Sequence, residues 1–163
     1  MGIESAIAFT ALILTIIQWL WEYSQKIKWD KNVFLVYQLE KFNEAESTKI
    51  VNKLLDWNKV EITLKDSNVV ISDDDLIEAL QPHDRKHRFT QTESQLRTIF
   101  DEYFDNLTKL VYLCNTKIVP EKSLRMMLGY WINILKGESK KIQAINSYLS
   151  FYGYDELIKF IQK

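Results

Sequence analysis

The sequence predicts a mainly all-α protein: one N-terminal transmembrane helix over residues 1–25 and a compact cytosolic helical bundle over 26–163. Three observations carry that reading. Ile3 to Trp21 (IESAIAFTALILTIIQWLW) is an apolar run of 19 residues. Apolar residues recur at helical spacing through most of the chain beyond that run. The helix breakers are scarce, with 4 Gly and 2 Pro in 163 residues. Composition excludes several classes. With 47% hydrophobic and 13% aromatic residues the chain is neither disordered nor collagen-like, and Cys114 alone cannot make a disulfide scaffold. The net charge of −1 hides an asymmetry: no Lys or Arg precedes Lys26.

As a helix, Ile3–Trp21 would be roughly 28 Å long, close to a hydrocarbon core of about 30 Å. Trp19, Trp21, Tyr23 and Trp29 gather at its C-terminal end, where amphipathic rings favour the headgroup layer. Lys26, Lys28 and Lys31 come next, and the positive-inside rule then places the N-terminus outside a bacterial inner membrane and the remainder in the cytoplasm. The run lacks the basic start and small-residue cleavage site of a secretory signal, and it exceeds the usual length of a buried core helix. Glu4, Ala8, Ala11, Thr15, Gln18, Glu22 and Gln25 recur at steps of 4 and 3, a stripe of small and polar residues. Glu4, Ala8, Ala11, Thr15 and Gln18 are therefore the expected face for self-association within the membrane. Chance spacing of common residues is the plainer explanation of the same stripe.

After Lys31, Val33, Leu35, Val36, Leu39 and Phe42 keep the helical period, and Ile50 to Trp57 resume it after the polar break 43–48. Residues 59–71 alternate instead, with Asp66-Ser67-Asn68 as a turn, which leaves hairpin and helix both open; two strands alone are marginal without a helix to cover them. Ser72-Asp73-Asp74-Asp75 caps a short helix through Leu80. Pro82–Arg88 is a polar connection. Thr90-Gln91-Thr92-Glu93 is a capping box that opens the strongest helix, with a stripe from Leu96 to Cys114. Pro120 suits the first turn of a next helix, whose buried face is expected to be Leu124, Met127, Leu128, Trp131, Ile132 and Leu135, ending at Gly137. A further helix runs from about Lys140 to Tyr152, Gly153 ends it, and Asp155 starts a last short one.

The chemistry is sparse. There is no G-x-S-x-G, Walker loop, G-x-G-x-x-G, C-x-x-C or H-E-x-x-H. No enzymatic activity, cofactor or metal centre is expected. His83 and His87 stand at i, i+4, a spacing that can hold a metal on a helix, but Pro82 and the charged run suggest a loop. Cys114 lies in an apolar stripe, where a thiol is inert. The feature with most content is His83-Asp84-Arg85-Lys86-His87-Arg88. The chain has four arginines, and two fall within these positions. Arginine forks match phosphate geometry. Arg85, Lys86, His87 and Arg88, supported by Arg97 or Arg125 and with Trp57 as a stacking ring, are the expected ligand residues. A solvated loop facing water or anionic lipid is the plainer account.

Leu55-Asp56-Trp57-Asn58, Ala79-Leu80 with His83, Phe89-Thr90 with Glu93, Phe100-Asp101 with Phe104-Asp105, Tyr130-Trp131 and Phe151-Tyr152-Gly153-Tyr154, in this order, resemble a group of small bacterial single-span proteins with a cytosolic helical domain. The layout also looks like the membrane-bound ancillary effectors of type III CRISPR systems. That resemblance lies in architecture and size and assigns no ligand residue. It implies binding of cyclic tetra-adenylate, assembly as a homo-oligomer of four, and antiviral action at the membrane. The partners expected are then the chain itself, membrane lipid and a cyclic oligonucleotide, with no duplex nucleic acid. A membrane-tethered helical scaffold without a small ligand is the alternative function.

Overall fold

The computed structural model describes residues 2–64, 67–86 and 88–163, and side chains from Ile7 onward. The fold is mainly α, with eight helices and one two-stranded hairpin among these residues. Helix α1 runs unbroken from Ile3 to Glu44. It contains no Gly or Pro, so nothing interrupts its hydrogen-bond ladder. The boundary expected near residue 25 falls inside this one helix. Every residue from Ile7 to Asp30 is exposed, and the helix first meets the domain core at Leu35, Leu39 and Phe42. It is long and apolar enough to cross a membrane.

Ala45, at φ −57° and ψ 133°, turns the chain into α2 (Glu46–Asp56), which buries Val51, Leu54 and Leu55. The open segment is a hairpin: β1 (Lys59–Leu64) pairs antiparallel with β2 (Ser67–Ser72), Val60 opposite Ile71 and Ile62 opposite Val69. Ile62, Leu64 and Ile71 enter the core, and packing against α2 and α3 supplies the cover that two strands need. Ser67 and Asn68, expected in the turn, are strand residues opposite Leu64 and Thr63; Asp66 lies outside the described residues.

Helix α3 (Asp73–Ala79) opens on a capping box between Ser72 and Asp75, where the sequence indicated a cap, and α4 (Gln91–Asn115) on the box between Thr90 and Glu93 that the sequence indicated. Leu96, Phe100, Tyr103, Phe104, Leu107, Leu110, Val111 and Cys114 are all buried. Helix α4 runs antiparallel to α1: Tyr103 packs on Phe42, centroids 5.5 Å apart, and Lys31 Nζ donates to the Lys117 carbonyl at 2.6 Å.

The single helix expected after Pro120 is two short ones, α5 (Glu121–Met127) and α6 (Gly129–Leu135). Leu128, at φ −97° and ψ 6°, leaves helical geometry just before Gly129, a residue of low helix propensity. The buried face is accordingly Leu124, Leu128, Ile132 and Leu135; Met127 is exposed and Trp131 half-buried. Gly137 passes so close to the Ile134 carbonyl that a Cβ would sit 3.0 Å from it. Helix α7 (Lys140–Phe151), capped by Ser139, ends at Gly153 with φ +78°, a conformation that favours glycine. Helix α8 (Asp155–Gln162) seals the core with Leu157, Phe160 and Ile161.

Candidate functional site

The basic loop joins α3 to α4 and is folded from its own backbone upward. The N–H groups of Arg85 and Lys86 both donate to the Pro82 carbonyl, at 3.0 and 3.1 Å. Beneath the loop sits Arg97, which is 7% exposed. Its Nη1 donates to the carbonyls of Ala79 and Gln81, each at 2.8 Å. Its Nη2 donates to Tyr152 Oη and to His83 Nδ1. Tyr152 Oη is also hydrogen-bonded to His83 Nδ1. Phe89 stacks over the guanidinium at 4.2 Å and meets the His83 ring edge-on at 5.1 Å.

The expected ligand set therefore divides. Arg97 is spent on holding α3, the loop, α4 and the Tyr152 corner together. Lys86 is also engaged, bridging Glu78 at 3.0 Å and Glu93 at 2.9 Å. The hydrogen bond to Glu93 leads the forces that raise its pKa above the ordinary lysine value. Glu93 in turn titrates below the usual range: partial burial pushes the other way, and the bonds to Lys86 and Thr90 outweigh it. Arg125 is bound to Glu121 and the Phe160 carbonyl. His87 lies outside the described residues. Arg85 and Arg88 are exposed and make no side-chain hydrogen bond or ion pair among the described residues.

Arg85 lines an open concavity of about 450 Å³ with Asp84, Asn146, Ser147, Ser150 and Phe151. Asn146, Ser147 and Ser150, from α7, escaped sequence reasoning, since small polar residues on an amphipathic helix carry no signal until the fold sets them beside the loop. Trp57 is exposed but stands elsewhere, at the N-terminal end of α7, where Lys141 Nζ donates to its carbonyl and to that of Leu54. A second groove of about 460 Å³ lies between α2, β1 and α4; Glu46 and Glu102 flank an apolar floor of Ile50, Leu64 and Ile99, and no cation lines it among the described residues.

On α1, Ala8, Ala11, Thr15 and Gln18 are exposed, and the side chain of Glu4 lies outside the described residues. Thr15 Oγ1 donates to the Ala11 carbonyl and Gln18 Nε2 to Glu22, so both polar groups are satisfied within the helix. Among the described residues no group of three or more His, Cys, Asp or Glu side chains could hold a metal. The Cys114 thiol is pushed up to about 11, chiefly by burial. No protein-family profile, curated protein or solved structure matches the chain.

Proposed function

We propose that the chain is a membrane-anchored oligomeric sensor whose domain binds a phosphate-rich ligand, such as a cyclic oligoadenylate, at the Arg85–Arg88 loop. The span would lie in a bacterial inner membrane with its N-terminus outside, and the resemblance to the ancillary effectors of type III CRISPR systems would make the output antiviral. One observation carries the reading: two guanidinium groups without a carboxylate partner among the described residues stand on a loop tied down by Pro82 and Arg97, and one of them opens onto a polar concavity. An unpaired arginine takes a phosphate without first giving up an ion pair, and a braced loop loses little entropy on binding.

The lining suits a nucleotide. Ser147, Ser150 and Asn146 offer donors to phosphate or ribose oxygens, Phe151 offers a half-exposed ring for a base, and Asp84 accepts from an amino or hydroxyl group. A cyclic ligand with one phosphate per repeat would engage one Arg85–Arg88 pair from each of several subunits, and its affinity for one arrangement of subunits would bias the spans. The reading needs no catalytic step, cofactor or metal.

Calorimetry on the full chain in detergent with cyclic oligoadenylates tests it. Saturable binding is expected, weakened on the order of 100-fold in Arg85→Ala/Arg88→Ala by loss of two charge-assisted contacts, with unchanged circular dichroism. Absence of binding at low salt refutes the ligand class; unchanged affinity in the double variant refutes the site. The exposed rings of Trp57 and Tyr130, the latter tied to Asp56, favour the second reading, a tethered interaction module, and that reading stands if no nucleotide binds.

A further inference from the structure

We propose that the end of the domain nearest the exposed half of α1 is a contact surface for anionic lipid, with Lys117 and Lys122 resting on the headgroups of the leaflet from which α1 emerges. The proposal rests on α1 crossing a membrane. Given that, the register of α1 fixes the height of everything packed on it.

The contacts set that register. Phe42 meets Tyr103, Phe34 and Gln38 share a groove with Thr108 and Tyr112, and Lys31 meets Lys117, so α4 descends antiparallel to α1 and its C-terminus points toward the span. Ser123 Oγ bonds to Asn32, whereas Met127, Leu128 and Trp131 reach Val36 and Asn43, so α5 rises from the same level. Lys163, at the end of α8, bonds to Glu121 in the first turn of α5. The turn from Thr116 to Pro120 is thus the part of the domain closest to the span. Lys117 occupies the left-handed region at φ 60°, which reverses the chain sharply and leaves Ile118 exposed. The bond from Lys31 to the Lys117 carbonyl pins the turn to α1.

The charges at this end have one surplus sign. Glu121 is already held by Arg125 and Lys163, and Glu156 by Lys159. Asp155 stands beside Glu156 and close to Lys159, and on the adjoining stretch of α1 Glu22 and Asp30 stand against Lys26, Lys28 and Lys31. Lys117 and Lys122 have no side-chain partner among the described residues. From Trp21, the end of the apolar run, to Lys31 is ten residues, roughly 15 Å along the axis. The headgroup layer takes up about 6 Å of that, and a Debye length of about 8 Å covers most of the remainder in physiological salt. A span tilt of about 20° lowers one side of the domain further. Lysine ammonium groups on flexible stems at this height lie in the negative potential of an anionic leaflet.

The test uses the full chain in nanodiscs of phosphatidylcholine, with or without phosphatidylglycerol. An Ile118→Cys variant is labelled with an environment-sensitive fluorophore under native conditions, in which Cys114 is buried. Quenching by a headgroup spin label is expected to be stronger with phosphatidylglycerol. It should fall back in Lys117→Glu/Lys122→Glu, each lysine changing the docked-to-undocked ratio roughly fivefold. Quenching that ignores phosphatidylglycerol, or survives the double variant, overturns the proposal. Brominated acyl chains report separately on Trp19 and Trp21: if these are quenched while the Ile118 probe is indifferent to lipid charge, the span stands and the lipid contact falls. If they are not quenched, the span itself falls and the contact with it.

Discussion

Replacing Arg97 by methionine separates a structural arginine from a ligand-binding one. The guanidinium makes two 2.8 Å bonds to carbonyls at the end of α3 and two more to Tyr152 and His83. Hydrogen bonds from a charged group contribute about 1.5–3 kcal/mol each. Truncation would leave the buried Ala79 carbonyl unpaired, while the less buried Gln81 carbonyl can recover water. Relief of the desolvated charge offsets part of the loss. A net destabilisation of about 4 kcal/mol results, a large share of the 5–15 kcal/mol available to a typical domain. Urea unfolding of the full chain in mild detergent, monitored by circular dichroism, should show the midpoint falling by about 2 M at ordinary slopes. Arg97→Lys keeps the charge but loses the fork, and should fall between the two. If Arg97→Met stays within about 1 kcal/mol of the parent while nucleotide affinity disappears, the reasoning is refuted, and Arg97 serves the phosphate as the support to Arg85–Arg88 expected from the sequence.

Two further outcomes concern buried or capped charges. Lys141, 6% exposed, bonds the carbonyls of Leu54 and Trp57 and pairs with Asp73 at 2.8 Å; Lys141→Met should cost about 3 kcal/mol in the same urea assay, and a change within error would show that water replaces those bonds. The Asp75 carboxyl sits below its ordinary value of 3.8, mainly because Ser72 donates to it from hydroxyl and backbone. Its folded form therefore holds a proton less tightly than the unfolded chain, so its contribution is present above that ordinary value and disappears as the pH falls through the lower folded one. Asp75→Asn should be less stable than the parent at neutral pH by at most about 1 kcal/mol, the scale of an exposed cap, with the gap closing in acid; a gap that persists or widens below pH 3 contradicts the capping account.

The elements legible in the sequence were those with a local physical cause. The cap at Ser72, the capping box at Thr90, the Leu96–Cys114 stripe and the Gly153 stop each depend on residues within a turn or two of each other. Long-range geometry was not legible. The split at Leu128 leaves apolar spacing unchanged and shows only in which face Met127 takes. The commitment of Arg97 depended on where the ends of α3 and α7 would arrive, and nothing in a run of basic residues distinguishes an arginine that braces a loop from one that waits on it. Lys86, between the two arginines in sequence, is the member of the run that pairs with Glu78 and Glu93, and nothing in the run itself marks it out from Arg85 and Arg88.

The uninterrupted course of α1 has a mechanical consequence. With no glycine, proline or loop between its exposed half and Phe42, the helix is a rod of about 63 Å whose two ends move as one body. A tilt of about 20°, ordinary for helices in bilayers, carries one end sideways by about 20 Å relative to the other. Such a lever needs no hinge and no relay of side chains: a small change in the angle at which the rod stands is felt at full amplitude by whatever the far end touches.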